Sequence, residues 1–425
     1  MGYSMSLFSV TRRQFTIGSV AAATAVSSPI SFATPTKTVK IGVLLPISGV
    51  LAQMGIACAT AIGILEDFLH DIGLSAEIHL EDTESSVDVS RAKTEKLIAS
   101  GVNMVVGTFG SSDTAAIAQV CEQKQMPLVI NLAAAPQITE QGYKYVFRNF
   151  QTGPMLVENG LSLMGDLFKS LKKGQEPPKR AVLMHVNDNY GEAMRKGISE
   201  LLPKMNLPFE VVGTISYDPA AKSLSTEVKK MESYKPGLIM PVCRLNDAIM
   251  MVREMVKQRV GQRRGKNDEP LQAIISPGSP GMYEQQFYKL GKYSEYLITN
   301  TAWYNPKSKL TQRAKLLHQA KYPDKQFDMN VAFTLEAIYI AAYAAKAAGS
   351  FDRESIRESL SNINLNERIT LGGPISFDSK GQGIGMKSAS LQNLQRRPQV
   401  IFPTECREAT CFKYPIPAWN SPERV

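Results

Sequence analysis

Val39-Lys40-Ile41-Gly42-Val43-Leu44-Leu45 is an almost unbroken apolar run that stops at Pro46, and apolar residues at helical spacing follow from Gly55 to Leu69. A strand buried on both faces, followed at once by a helix, is the start of a βαβ unit and of a parallel sheet covered on both sides. The pattern continues with strands at Glu77–Glu81, Met104–Val106, Leu128–Asn131 and Tyr145–Arg148, and helices at Ser86–Ser100 and Ala115–Lys124. It restarts with a helix over Met155–Leu171 and strands at Ala181–Val186, Phe209–Ile215, Gly237–Pro241 and Ala273–Ser276. Helices at Gly191–Leu202, Leu224–Tyr234 and Asp247–Arg259 lie between those strands.

Two similar series imply two Rossmann-like α/β lobes with a cleft between them, the usual place for a ligand. A third section adds a strand at Tyr296–Thr301 and helices at Lys309–Tyr322, Asn330–Ala348 and Asp352–Ile363. Strands around Ile375–Phe377 and Leu391–Leu394 complete it. The expected division is residues 38–151 plus 299–365 for the first lobe, 152–298 plus 371–402 for the second, and a tail over 403–425. Three strand-like crossings would then join parallel-type sheets and permit closure while limiting twist. The alanine-rich helix is apolar nearly all round, which suits packing inside a lobe.

Residues 1–33 contain no acid and run from Arg12-Arg13 through an apolar stretch to Ser31-Phe32-Ala33, the layout of a cleavable export signal. Thr11-Arg12-Arg13-Gln14-Phe15 is similar to the twin-arginine signal. Its removal lowers the net charge from +9 to +7. The basic run Lys257–Lys266 lacks interleaved aromatics, so no nucleic-acid partner is expected. Among the five cysteines, Cys406 and Cys411 are spaced to close a small tail loop as a disulfide. The same spacing suits metal ligands, but no second donor pair lies nearby, and no metal or cofactor is expected. A dehydrogenase is disfavoured because the glycine string Gly381-Gln382-Gly383-Ile384-Gly385 falls near the chain end. A hydrolase is disfavoured because no Gly-x-Ser-x-Gly occurs and His70, His79, His185 and His318 are dispersed.

The string Ile41 to Gly49, followed by Ala52-Gln53-Met54-Gly55, resembles the opening of the leucine/isoleucine/valine-type substrate-binding proteins of ABC importers. Glu81-Asp82-Thr83, Val105 to Ser112, Pro127 to Ala135, Tyr145 to Arg148, Asp188 to Gly191 and Gly373 to Gly381 extend the resemblance in order along the chain. It implies a type I periplasmic-binding fold, a periplasmic, non-enzymatic, monomeric receptor without cofactor, and delivery of a small solute to a membrane permease. A sensor subunit of the same fold is the alternative. By the same resemblance Ser111, beside Ser112, matches a carboxylate-binding serine, and Ala133, Ala134 and Ala135 match a backbone segment that holds the solute. Ser111 and Ser112 also read as plain N-caps of the following helix.

Tyr190 matches an aromatic lid from the second lobe, and Met54 stands where an aromatic often lines the first. Two departures bear on the ligand. Ala135 lacks the hydroxyl that the family's segment ends with, and Pro277-Gly278-Ser279-Pro280-Gly281 stands where the resemblance places an amine-pairing acid. Arg244 offers a guanidinium for a carboxylate. A small amino-acid-like or carboxylate or amide solute is the expected ligand, with an acid or amide lacking a free amine favoured.

Overall fold

The computed structural model describes residues 38–262, 265 and 268–424. The export segment lies outside them, as do Arg263, Arg264 and Lys266 of the basic run. The first sheet holds five parallel strands in the order β2-β1-β3-β4-β5. These are β1 (Val39–Leu45), β2 (Ala76–Asp82), β3 (Met104–Gly107), β4 (Leu128–Ile130) and β5 (Val146–Arg148). Helices α1 (Ala52–Gly63), α2 (Leu65–Asp71), α3 (Val87–Ala99) and α4 (Ser111–Gln123) connect them. After β5 come α5 (Gly153–Lys169) and a second sheet built on β6 (Arg180–Val186), β7 (Glu210–Tyr217), β8 (Leu238–Val242), β9 (Ala273–Pro277) and β10 (Ile298–Ala302). Helices α6 (Asn189–Leu201), α7 (Ser225–Ser233) and α8 (Leu245–Gln258) lie between its strands. Then α9 (Lys309–Lys321), α10 (Met329–Ala348) and α11 (Arg353–Ser361) lead to β11 (Ser388–Asn393) and β12 (Pro398–Phe402).

The second sheet runs β12-β11-β10-β9-β8-β6-β7, with β11 and β12 antiparallel to their neighbours. The chain leaves this sheet after β10, whereas the strand pattern alone placed residues from 299 onward in the first lobe. Strand β12 was not foreseen, because Pro398 and the charged Arg396-Arg397 mask a short edge run. The expected strand around Ile375–Phe377 forms only isolated bridges, Leu365 to Ile375 and Phe377 to Gly383. Helix α10 has the length and hydropathy of a membrane span but is buried in the first core through its own Val331, Leu335, Ile338 and Ile340.

One expected helix is two. The segment read as continuous from Gly55 to Leu69 bends by 45° between α1 and α2. A Cβ on Gly63 would stand 1.9 Å from the Tyr322 hydroxyl, and Lys321 Nζ donates to the Gly63 carbonyl at 2.5 Å. The carbonyl is thereby drawn toward α9, and the ring end occupies the space a side chain would need. Gly63→Ala is expected to cost about 1–3 kcal/mol in urea unfolding, and Tyr322→Phe in that background to recover part of it. Equal losses in both backgrounds would refute the clash.

Three connections cross between the lobes and hydrogen-bond to one another. Arg148 N donates to Gly381 O at 2.7 Å and Gly383 N to Arg148 O at 2.9 Å. Leu371 N donates to Trp303 O at 2.9 Å, and Ser388 Oγ donates to Gln151 Oε1 at 3.0 Å. Gly381 is required there, since it has φ +75° and its Cβ would lie 2.0 Å from Val146 O. The tail beyond β12 packs on the second lobe, where Ile416 N donates to Gln272 O at 2.9 Å and Trp419 Nε1 to Val260 O at 3.2 Å.

Candidate functional site

In both sheets the candidate residues follow the carboxyl ends of parallel strands, where open α/β sheets place ligands. On the first lobe, the chain leaves β3 at Gly107 and turns into α4, whose N-cap is Gly110 in extended conformation. Neither serine caps the helix. Ser111 Oγ accepts from Ala135 N at 3.3 Å, which leaves its own O–H free to donate, and Ser112 is exposed.

The alanine run after β4 turns its carbonyls inward. Ala133 O and Ala135 O accept from Arg148 Nη1 at 3.3 and 2.6 Å, and Ala134 O accepts from Gly153 N at 2.9 Å. Among the described residues the Ala133 and Ala134 amides find no acceptor. Arg148 is fully buried, and its remaining contacts are Gln382 Oε1 at 2.7 Å and Thr139 Oγ1 at 2.7 Å. Burial lowers its guanidinium to about 10. A cavity of about 480 Å³ opens beside α4, with Ser111, Ser112, Ala135, Gln137, Val87 and Arg91 in its wall.

On the second lobe, Asp188 caps α6 by accepting from Gly191 N at 2.9 Å, and its other oxygen takes Arg244 Nη1 at 2.7 Å. Burial alone would raise the Asp188 carboxyl, but the Gly191 amide and the Arg244 guanidinium outweigh it and hold it below the usual range. Arg244 lies 4.7 Å over the Tyr190 ring, so the ion pair and the ring form one stack at the lobe rim. The Tyr190 hydroxyl is buried without a well-formed hydrogen bond. Ser279 and Cys243 lie beside it, and burial pushes the phenol upward.

Ser279 itself is fully buried, donating to Cys243 O at 2.6 Å and accepting from Cys243 N at 2.9 Å. Its hydroxyl laces the ends of β8 and β9 together and does not reach the surface. Met54 sits half-buried in the first turn of α1. Cys406 and Cys411 are both free, with Cys406 buried in a short helical turn and Cys411 exposed, so the expected tail disulfide is absent from the structure. Their thiols sit in opposite environments, which sequence spacing does not reveal.

Two groups are therefore assembled, Ser111 with Ala135 on one lobe and Tyr190 with Arg244 on the other. The sequence reading missed Arg91, Arg148 as a buried cation, and a cross-lobe pair of acids. Gln285 Nε2 donates to Asp324 O at 2.8 Å and Gln326 Nε2 to Tyr283 O at 3.4 Å, docking a second-lobe loop on the segment that enters α10. This brings Glu284 near Asp328, the N-cap of α10, whose Oδ1 accepts from Asn330 N at 2.9 Å. Burial raises Asp328 to about 6, and burial plus the Asp328 charge raises Glu284 to about 7. The capping aspartate before an apolar helix was a signal available in the sequence, but nothing local marked Glu284.

The sequence model of the periplasmic binding protein family matches residues 38–395. The chain belongs to that family. A periplasmic binding protein of two α/β lobes is also what the solved relatives show. The branched-chain amino acid substrate-binding protein LivJ of Streptococcus pneumoniae, in complex with isoleucine, superposes with a TM-score of 0.66 at 19% identity, covering 85% of this chain and 98% of that one. An R. palustris solute-binding protein in complex with benzoate superposes with a TM-score of 0.67 at 18% identity, covering 86% and 96%.

Among curated relatives, the leucine-, isoleucine-, valine-, threonine- and alanine-binding protein of Pseudomonas aeruginosa is 24% identical over 85% of this periplasmic binding protein and 91% of that one. The Leu/Ile/Val-binding protein of Escherichia coli aligns over 46% of this chain and about half of its own length, 51%. The tail after residue 395 lies outside the family match.

Proposed function

We propose that the chain is the extracytoplasmic solute-binding component of an ABC importer, holding a small carboxylate-bearing solute between its lobes and handing it to a membrane permease. It acts as a monomer and without chemical turnover. The observation that carries this reading is the alanine run: its three carbonyls and the Ala135 amide are already committed, while among the described residues the Ala133 and Ala134 amides have no acceptor, near the Ser111 hydroxyl at the start of α4. Donors gathered at a helix N-terminus suit an anion. The solved proteins in complex with isoleucine and with benzoate hold solutes that share a carboxylate, which supports the same class.

The test is calorimetry and thermal shift with benzoate, isocaproate and leucine as probes. A carboxylate solute is expected to raise the melting temperature without being altered. Ser111→Ala should weaken its binding by about tenfold, the worth of one hydrogen bond to a charged group. If no probe shifts the melt at millimolar concentration, or if Ser111→Ala binds as the parent does, the reading fails.

A further inference from the structure

Arg148 presents an energetic puzzle that folding alone does not resolve. Its guanidinium is fully buried, yet every acceptor it touches is neutral: two peptide carbonyls, the Gln382 amide oxygen and the Thr139 hydroxyl. Among the described residues no carboxylate lies within ion-pairing distance of it. Glu140 and Asp378, the acids whose charges it feels, are exposed and therefore screened. Burying a cation against neutral acceptors costs free energy that an apolar or amide side chain of similar volume would not cost. Arg368, also buried, shows the ordinary solution, the Glu336 carboxylate at 2.9 Å.

The position of the charge supplies a reason to keep it. Arg148 lies behind the Ala133–Ala135 turn and takes the carbonyls at both ends of it. The Ala133–Ala134 peptide thus has its oxygen toward the guanidinium and its N–H, on Ala134, directed away from it, while the Ala135–Pro136 peptide carries no N–H. Fixed dipoles and a buried cation act in the same direction on whatever sits at the N–H side. Thr139 and Gln382 hold the fork from two other segments, and Gln382 Nε2 also donates to Phe150 O at 2.8 Å in the first crossing.

We infer that Arg148 is a positioning and selectivity residue: it orients the Ala133–Ala134 peptide and with it the Ala134 amide, and its uncompensated charge makes the site favour a carboxylate over the amide of the same shape. This rests on the reading of that turn as a wall of the solute site. Arg148 touches the turn and not the solute, so its effect is read in a ratio of affinities and not in loss of binding alone.

The experiment is calorimetry on the purified chain with two matched probe pairs, benzoate with benzamide and isocaproate with isocaproamide. The parent is expected to prefer each acid by about tenfold or more. Arg148→Met should bring each pair to within about twofold. Arg148→Lys keeps the charge but not the planar fork, so it should bind more weakly overall while retaining the preference for the acid. A purely structural arginine predicts the opposite, weaker binding of acid and amide alike with an unchanged ratio in Arg148→Met. That outcome overturns the inference, as does an Arg148→Lys chain that folds and shows no preference. If Arg148→Met fails to fold, Arg148→Gln removes the charge in its place and is read by the same ratio. Should the parent bind acids and amides equally, the inference falls while the solute-site reading stands; should it bind no probe at all, both fall.

Discussion

Replacing Glu336 with glutamine is expected to destabilise the first lobe by about 3–5 kcal/mol in urea unfolding, the range for breaking a buried ion pair by removing one partner. Glu336 projects from α10 and is fully buried. Its Oε1 accepts from Arg368 Nη2 at 2.9 Å, Asn149 Nδ2 at 3.1 Å and Thr370 Oγ1 at 2.6 Å. Its Oε2 accepts from the Ile369 and Thr370 amides at 2.6 and 2.8 Å. Five donors converge on two oxygens, and glutamine would set an NH₂ against some of them while leaving Arg368 without its counter-charge.

Two of the three lobe crossings meet here, Asn149 from the first and Ile369-Thr370 from the strand that pairs beside Trp303. The variant should therefore also lose a defined hinge. Burial alone would raise the Glu336 carboxyl, but Arg368 and the Thr370 donors outweigh it and hold it below the usual range. A depressed carboxylate adds stability that is complete above its unfolded value and disappears as pH falls through the folded one. The parent should lose this part only in acid, and Glu336→Gln should lack it at every pH. A loss below about 1 kcal/mol would remove the network from the account of the hinge.

The second large effect runs the other way with pH. Asp328 and Glu284 sit above the usual carboxylate range, at about 6 and about 7, so between ordinary carboxylate values and those the folded chain binds more protons than the unfolded chain. Stability then falls as pH rises through that window and is lowest above it. Cys58 from α1, Tyr283 from the docking loop and Tyr304 from the second crossing face Asp328, and none can supply a positive charge.

Both carboxyl groups keep some contact with solvent, which reduces the expected size to about 1–2 kcal/mol between pH 5 and pH 8. Asp328→Asn preserves the helix cap and removes the charge, so it should flatten the melting temperature over that span and raise it at the alkaline end. A parent melting temperature that is flat from pH 5 to pH 8, or unchanged by the substitution, would contradict the pairing.

Reading the chain alone, the βαβ alternation was legible because parallel strands covered on both faces become continuous apolar runs, as in Val39–Leu45 and Ala181–Val186, and their burial is as those runs required. Ser86 before α3 and Thr152 before α5 cap their helices, accepting from the Val89 and Met155 amides. Edges were less legible. Strand β12 carries a proline and neighbours charged residues, and the break at Gly63 arises from a side chain nearly 260 positions away.

Of the candidate site, Ser111 and the alanine run were visible as residues, but their relation was not. The sequence by itself determined the two-lobe α/β architecture and the family, because hydrophobic period and strand-end motifs are local properties of the chain. Only the tertiary structure decided that Ser279 is sealed inside its lobe, that Arg244 is held by Asp188, that Arg148 stands uncompensated behind a turn, and that Glu284 meets Asp328. Each of these is a charge or hydroxyl whose meaning depends on a partner distant in sequence, and electrostatics acts through space and not along the chain.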